Sequence, residues 1–141
     1  VARRQKMEDH LAYLIASVNR QLEDELVEKL RPEGIPIEQF RILSALSFAD
    51  GRSMRELADA VLVDPASLTK IIDRMVVEAL VYRAPAPGDR RKVLICLAPK
   101  GTALHDKVKR ANGDQQRHLV ARLTEKKAEQ LAHMLRELTR Q

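Results

Sequence analysis

Apolar residues recur at helical spacing near the start of the chain. Leu11, Leu14, Ile15, Val18, Leu22 and Leu26 fall at steps of three and four, with one single-residue step. This predicts an amphipathic helix over residues 7–30, ended by Pro32 and Gly34. A second helix is predicted from about Ile37 to Ala49, with Phe40, Leu43 and Leu46 on one face and Asp50-Gly51 after it. Ser53-Met54-Arg55-Glu56 fits a capping box, in which Ser53 caps a new helix and Glu56 reaches back to it. Leu57, Ala58 and Val61 are that helix's apolar face. Asp64-Pro65 reads as a second cap followed by proline at the first helical position. The helix it opens is expected to reach Leu80 and to bury Leu68, Ile71, Ile72, Met75 and Val76.

The period then shortens. Val81-Tyr82-Arg83-Ala84 and Val93-Leu94-Ile95-Cys96-Leu97 have strand character, and Pro85-Ala86-Pro87-Gly88-Asp89 reads as the turn between them. A long helix is expected from Pro99-Lys100-Gly101 to about Leu123, with Gly113 as a weak point. The last helix starts at Thr124-Glu125-Lys126-Lys127 and carries an apolar stripe of Leu131, Met134, Leu135 and Leu138. The expected fold is therefore mainly α with a small β-hairpin wing: six helices, of which 53–62 and 65–80 form a helix-turn-helix.

Composition narrows the function. A chain of 141 residues is one domain's worth and can bury a real core. Charged residues make up 32% and aromatic residues only 3%, with no Trp. So few aromatics argue against stacking of single-stranded bases. The net charge of +5 favours a polyanionic partner. One cysteine rules out an internal disulfide framework and fits a reducing cytoplasm. The basic start, Val1 to Lys6, is followed by no apolar signal core, and no apolar run approaches the roughly 18 residues of a membrane span. A cytoplasmic location is expected.

The second helix of a helix-turn-helix lies in a DNA major groove, its first turns facing base edges. Here it offers Ser67, Thr69, Lys70 and, a turn on, Arg74. Hydroxyls can bond bases or phosphates, Lys70 can neutralise phosphate, and Arg74 can pair with guanine or phosphate. An ordinary helix pair with a solvated polar face is the alternative. The hairpin bears on that choice, because Asp89 and the basic run Arg90-Arg91-Lys92 sit at its turn. Between Lys70 and Lys100 seven basic residues face three acidic ones. An arginine on a thin β-tip can enter a minor groove.

The stretch from Asp64 to Gly101 resembles the multiple-antibiotic-resistance regulator (MarR) family. Asp89-Arg90-Arg91 is similar to that family's Asp-x-Arg wing signature. Leu97-Ala98 replaces the family's Leu-Thr. The resemblance implies DNA contacts from Ser67, Thr69, Lys70 and Arg74. It also implies a wing ordered by Asp89 and Arg91, with an arginine at its tip, here Arg90, in the minor groove. It implies a single domain, 1–141, with 35–100 as the DNA-binding lobe. Residues 1–34 and 101–141 would be dimerisation helices, and their apolar stripes independently ask for a partner. The implied function is a dimeric transcriptional repressor on a pseudo-palindromic operator. The implied effector is a small ligand, such as an aromatic acid or its thioester. A cavity beside the first, second and fifth helices would hold it, with His10, Asn19, Arg20 and Arg41 as candidate anion partners.

Other chemistry finds little support. The histidines at 10, 105, 118 and 133 lack metal-ligand spacing and are expected at the surface, so no metal or cofactor is expected. Cys96 reads as a small packed thiol in a strand. No phosphate loop, nucleophile elbow or triad is present, which argues against an enzyme. The remaining alternative is a winged-helix module that binds protein rather than DNA.

Overall fold

The computed structural model describes residues 6–139. The basic stretch at the start, except Lys6, and the last two residues lie outside them. The chain divides into two compact units, Val1–Lys109 and Arg110–Gln141.

The first unit begins with a turn of 3-10 helix, Met7–Asp9, and helix α1, Leu11–Leu30. A second 3-10 turn, Arg31–Glu33, ends at Gly34, whose φ of 64° makes the break expected there. Helix α2 spans Ile37–Phe48, strand β1 Arg52–Ser53, α3 Met54–Val61 and α4 Pro65–Val77. Strands β2, Val81–Ala86, and β3, Asp89–Leu97, form the hairpin, and α5, Pro99–Val108, follows. The sheet is antiparallel in the order β1-β3-β2, so β3 is central.

Both predicted caps are formed. The Ser53 hydroxyl accepts the Glu56 N–H at 3.2 Å, and Glu56 Oε1 accepts the Ser53 N–H at 3.3 Å. Asp64 Oδ1 accepts the Ser67 N–H at 2.9 Å, ahead of Pro65. Several features depart from the expectation, the hairpin among them: β2 runs on to Ala86 and β3 starts at Asp89, because the two strands pair again beyond the slip, so the turn shrinks from 85–89 to Pro87-Gly88. Strand β1 is an addition, pairing Arg52 with Ile95 and Ser53 with Leu94. The Asp50 carboxylate strengthens that edge by accepting the Leu97 N–H at 2.8 Å. Helix α4 stops at Val77 and does not reach Leu80. The Ala79 N–H donates to Val76 O at 3.0 Å and the Leu80 N–H to Met75 O at 2.9 Å. This is a Schellman closure with alanine, at φ 61°, in the left-handed position that glycine usually fills.

One apolar cluster ties the helix-turn-helix to the sheet. It joins Ile42, Leu43 and Leu46 of α2, Leu57, Ala58 and Val61 of α3, and Leu68, Ile72 and Met75 of α4. Leu80, Val81 and Ile95 complete it. The two other apolar residues expected inside α4, Ile71 and Val76, are half-buried at its edge. The start of α5 is fixed by an unusually close approach. The Ala98 N–H donates to Leu80 O at 3.0 Å. A Cβ added at Gly101 would lie 2.0 Å from that same carbonyl oxygen, so only glycine fits.

The helix expected over 99–123 is interrupted at Lys109, the last residue of the first unit. That unit is a helical hairpin of α6, Arg110–Leu123, and α7, Glu125–Thr139, turning at Thr124 with φ 81°. The six expected helices are thus present, one of them in two segments.

Candidate nucleic-acid interface

The cap that starts α4 also arranges its first candidate contacts. Besides its N–H, Ser67 donates its hydroxyl to Asp64 Oδ2 at 2.7 Å. The two bonds hold the Asp64 carboxyl below its ordinary pKa, the backbone N–H contributing most. The Thr69 hydroxyl donates to Pro65 O at 3.0 Å. Both hydroxyls therefore spend their protons within the helix and offer outward only acceptor lone pairs. Lys70 is exposed, and no carboxylate pairs with it among the described residues. Arg74 is exposed too, but its Nε donates to Glu78 Oε1 at 2.9 Å.

The wing turns at Pro87-Gly88, where Gly88 takes φ 78°, and Ala86 faces Asp89 across the turn. The next paired positions are Pro85 with Val93, so the ladder slips there. Three residues of β3, Arg90, Arg91 and Lys92, fall inside the slip and oppose nothing on β2. All three are exposed. Asp89 Oδ1 accepts the Arg91 backbone N–H at 3.0 Å. That bond shapes the start of the slip and leaves the Arg91 guanidinium uncommitted. Two ion pairs orient the wing. Arg83 of β2 binds Asp73 of α4, and Lys92 Nζ lies 3.9 Å from Glu56 Oε1 at the start of α3.

The candidate ligand residues are placed less simply. His10 precedes α1 without a side-chain cap, and Arg20 is exposed. Asn19 Nδ2 and Arg41 converge on one acceptor, Glu23 Oε1, at 3.5 and 3.0 Å. An anion bound at Arg41 would share its charge with Glu23.

One histidine is not where the sequence suggested. His105 keeps only 8% of its surface, against an expectation of a surface residue. Its Nε2 lies 3.2 Å from Ser44 Oγ, and its ring stacks on Phe40 at 6.3 Å between centroids. Burial pushes its pKa down, Lys109 adds to this, and Asp106 opposes it. The readable signal was position, since Gly101, His105 and Val108 share one buried face of α5. His10, His118 and His133 are exposed. No three metal-binding side chains group together among the described residues. Cys96 is half-buried and faces Tyr82 across the hairpin. Among the described residues no helix is long and apolar enough to cross a membrane.

Residues 33–92 match the MarR family. The multiple antibiotic resistance protein MarR of Escherichia coli is 32% identical over 129 residues, which is 91% of this chain and 90% of that protein. The chain belongs to the MarR family. Members of the MarR family are transcriptional regulators, not enzymes. The homoprotocatechuate degradative operon repressor of Escherichia coli is 32% identical over 100 residues, or 71% of this chain and 68% of that protein. A crystal structure of a mutant MarR from Escherichia coli, complexed with operator DNA, superposes with a TM-score of 0.84 at 29% identity. It covers 96% of this chain and 100% of that one. The winged helix-turn-helix described above is the MarR fold.

Proposed function

We propose that the protein is a ligand-responsive repressor that binds duplex operator DNA as a homodimer in the cytoplasm. The observation that carries this is the pairing of exposed cations with a capped helix-turn-helix. Lys70 on α4 and Arg90 and Arg91 on the wing have no carboxylate partner among the described residues. Ser67, Thr69, Lys70 and Arg74 are the α4 contacts in the major groove. Arg90 reaches the minor groove, and Asp89 shapes the wing that presents it. A related MarR crystallised with operator DNA supports the choice of duplex DNA as partner.

Residues 35–100 act as the DNA-binding lobe, and 1–34 with 101–141 as the dimerisation helices. In support, Leu11, Leu14, Ile15 and Val18 on α1 are all at least 46% exposed in the single chain. Leu131, Met134, Leu135 and Leu138 on α7 are at least 40% exposed. Unpartnered apolar stripes of this length are normally covered by another chain. A relative named for repressing a homoprotocatechuate degradative operon makes aromatic acids the first effectors to test at His10, Asn19, Arg20 and Arg41.

The test is fluorescence anisotropy on labelled duplex DNA at two salt concentrations. Counterion release predicts a steep fall in affinity with salt. Absence of binding at low salt would leave the protein-binding alternative standing. An aromatic acid that acts as effector must bind less tightly in the presence of saturating operator, by the same factor as it weakens DNA.

A further inference from the structure

Residue 78 is gripped from three elements. Its Oε1 accepts from Arg74 Nε on α4 at 2.9 Å. Its Oε2 accepts from Gln39 Nε2 on α2 at 3.3 Å. Its main-chain carbonyl accepts from Lys100 Nζ at the start of α5, at 3.0 Å. Gln39 is itself 95% buried, being only 5% exposed, so the amide that holds the carboxylate is fixed in the lobe. The Arg74 side chain remains 76% exposed and within reach of solvent. Its Nε–H is thus taken and its charge balanced by Glu78, while its other N–H groups stay accessible. Lys70, Arg90 and Arg91 carry no such partner among the described residues.

We propose that Glu78 is an intramolecular competitor for DNA phosphate at Arg74, anchored from behind by Gln39. The inference rests on the DNA-binding reading above and adds a residue to it. A free arginine on α4 would bind any phosphate with the strength of a full charge. Glu78 already balances the charge of Arg74 and takes its Nε–H, so a phosphate that bonds the remaining N–H groups meets a pair with no net charge and gains little on an arbitrary duplex. Glu78 cannot simply follow Arg74 outward, because Gln39 and Lys100 hold it in place. The consequence is weaker sequence-independent binding, which leaves the unpaired cations to supply most of the salt-dependent attraction.

A double-mutant cycle on a random-sequence duplex tests this. Glu78→Gln keeps the shape of residue 78 and removes its charge. In the otherwise native protein it should tighten binding about threefold to tenfold and steepen the slope of log K against log salt by about one. In an Arg74→Ala background the same substitution should change neither. Equal tightening in both backgrounds would overturn the proposal, since Glu78 would then act only as a nearby negative charge. No tightening in either would overturn it too, provided that thermal melting shows each variant folded. If the native protein binds no duplex at low salt, the DNA-binding reading itself fails, which is a different result from a flat cycle.

Discussion

Leu43, Leu57, Leu68 and Ile72 in the winged lobe keep no exposed surface. Leu11, Val18, Met134 and Leu138, on helices of the same kind and at the same spacing, keep 51–76% of theirs. Both sets satisfy the rule that a helix hydrophobic on one stripe will bury it. The difference lies in where the cover comes from. In the lobe, α2, α3, α4 and the sheet meet around a single cluster, and a short chain closes on itself. On α1 and α7 the stripe residues are left exposed, and the homodimer proposed above would cover them. Periodicity announces that a face will be covered, but not by which molecule.

The strongest way to break this contrast is to open the closed side. Gly101→Ala places a methyl group against Leu80 O, a backbone atom that no rotamer change can move. It should destabilise the lobe by about 3 kcal/mol or more, read from urea unfolding. A loss below about 1 kcal/mol would mean that α5 can slide and that the lobe is looser than its burial implies.

The open side is tested next. Replacing Met134 and Leu138 together by glutamate should abolish the dimer in sedimentation and with it tight operator binding. The thermal stability of the winged lobe should barely change, because exposed positions cost little to substitute. A native protein that sediments as a monomer at micromolar concentration would remove the partner from the comparison altogether.

A smaller effect belongs to His105, the titratable group on the closed side. Its folded pKa lies below its unfolded value because burial penalises the charged ring, with Lys109 assisting and Asp106 opposing. The unfolded chain therefore binds the extra proton first, so stability is complete above about pH 6.5. It falls as pH drops through that unfolded value and levels off below the folded one. His105→Gln should remove this component, seen as a flatter difference between its melting temperatures at pH 7.5 and 5.5. An unchanged difference would show that the ring is not sequestered between α2 and α5.

The smallest effect has the opposite sign. Ala79 sits in the left-handed conformation that closes α4, which costs an L-residue roughly 1–2 kcal/mol. Ala79→Gly relieves this against glycine's greater unfolded-state entropy and should stabilise the lobe by about 0.5–1 kcal/mol. Calorimetry that found the variant destabilised would mean that the Ala79 methyl group makes a contact worth more than the strain.

What the amino-acid sequence disclosed follows the same physical lines. Caps were readable because Ser53 and Asp64 act on neighbours three residues away, and such signals are local. The turn was readable from Pro87-Gly88 for the same reason. Strand β1 was not, since two residues have no period and the strand exists only through β3. The end of α4 was hidden because alanine, a strong helix former, occupies the position where the chain reverses. His105 was missed because its residue type suggests a surface, although its spacing from Gly101 and Val108 puts it on the buried face of α5, beside Phe40 and Ser44. At the interface, the basic residues of the wing and α4 were visible as types. That Arg74 is held while Arg90 and Arg91 are not depends on Glu78 and Gln39, the latter 35 positions from Arg74 along the chain.

The slip in the wing separates two kinds of inheritance. Below Pro85 and Val93 the hairpin is tied to the fold, because β3 pairs with β2 and, at Leu94 and Ile95, with β1 as well, and Val81 and Ile95 lie in the core. Above that pair only Ala86 and Asp89 still face each other, and Arg90 and Arg91 oppose nothing on β2 and touch no core residue, so they can be exchanged without disturbing the core. If the tip contacts DNA as proposed above, a descendant can acquire a different taste in DNA flanks by mutation there, while the paired scaffold goes on unaltered.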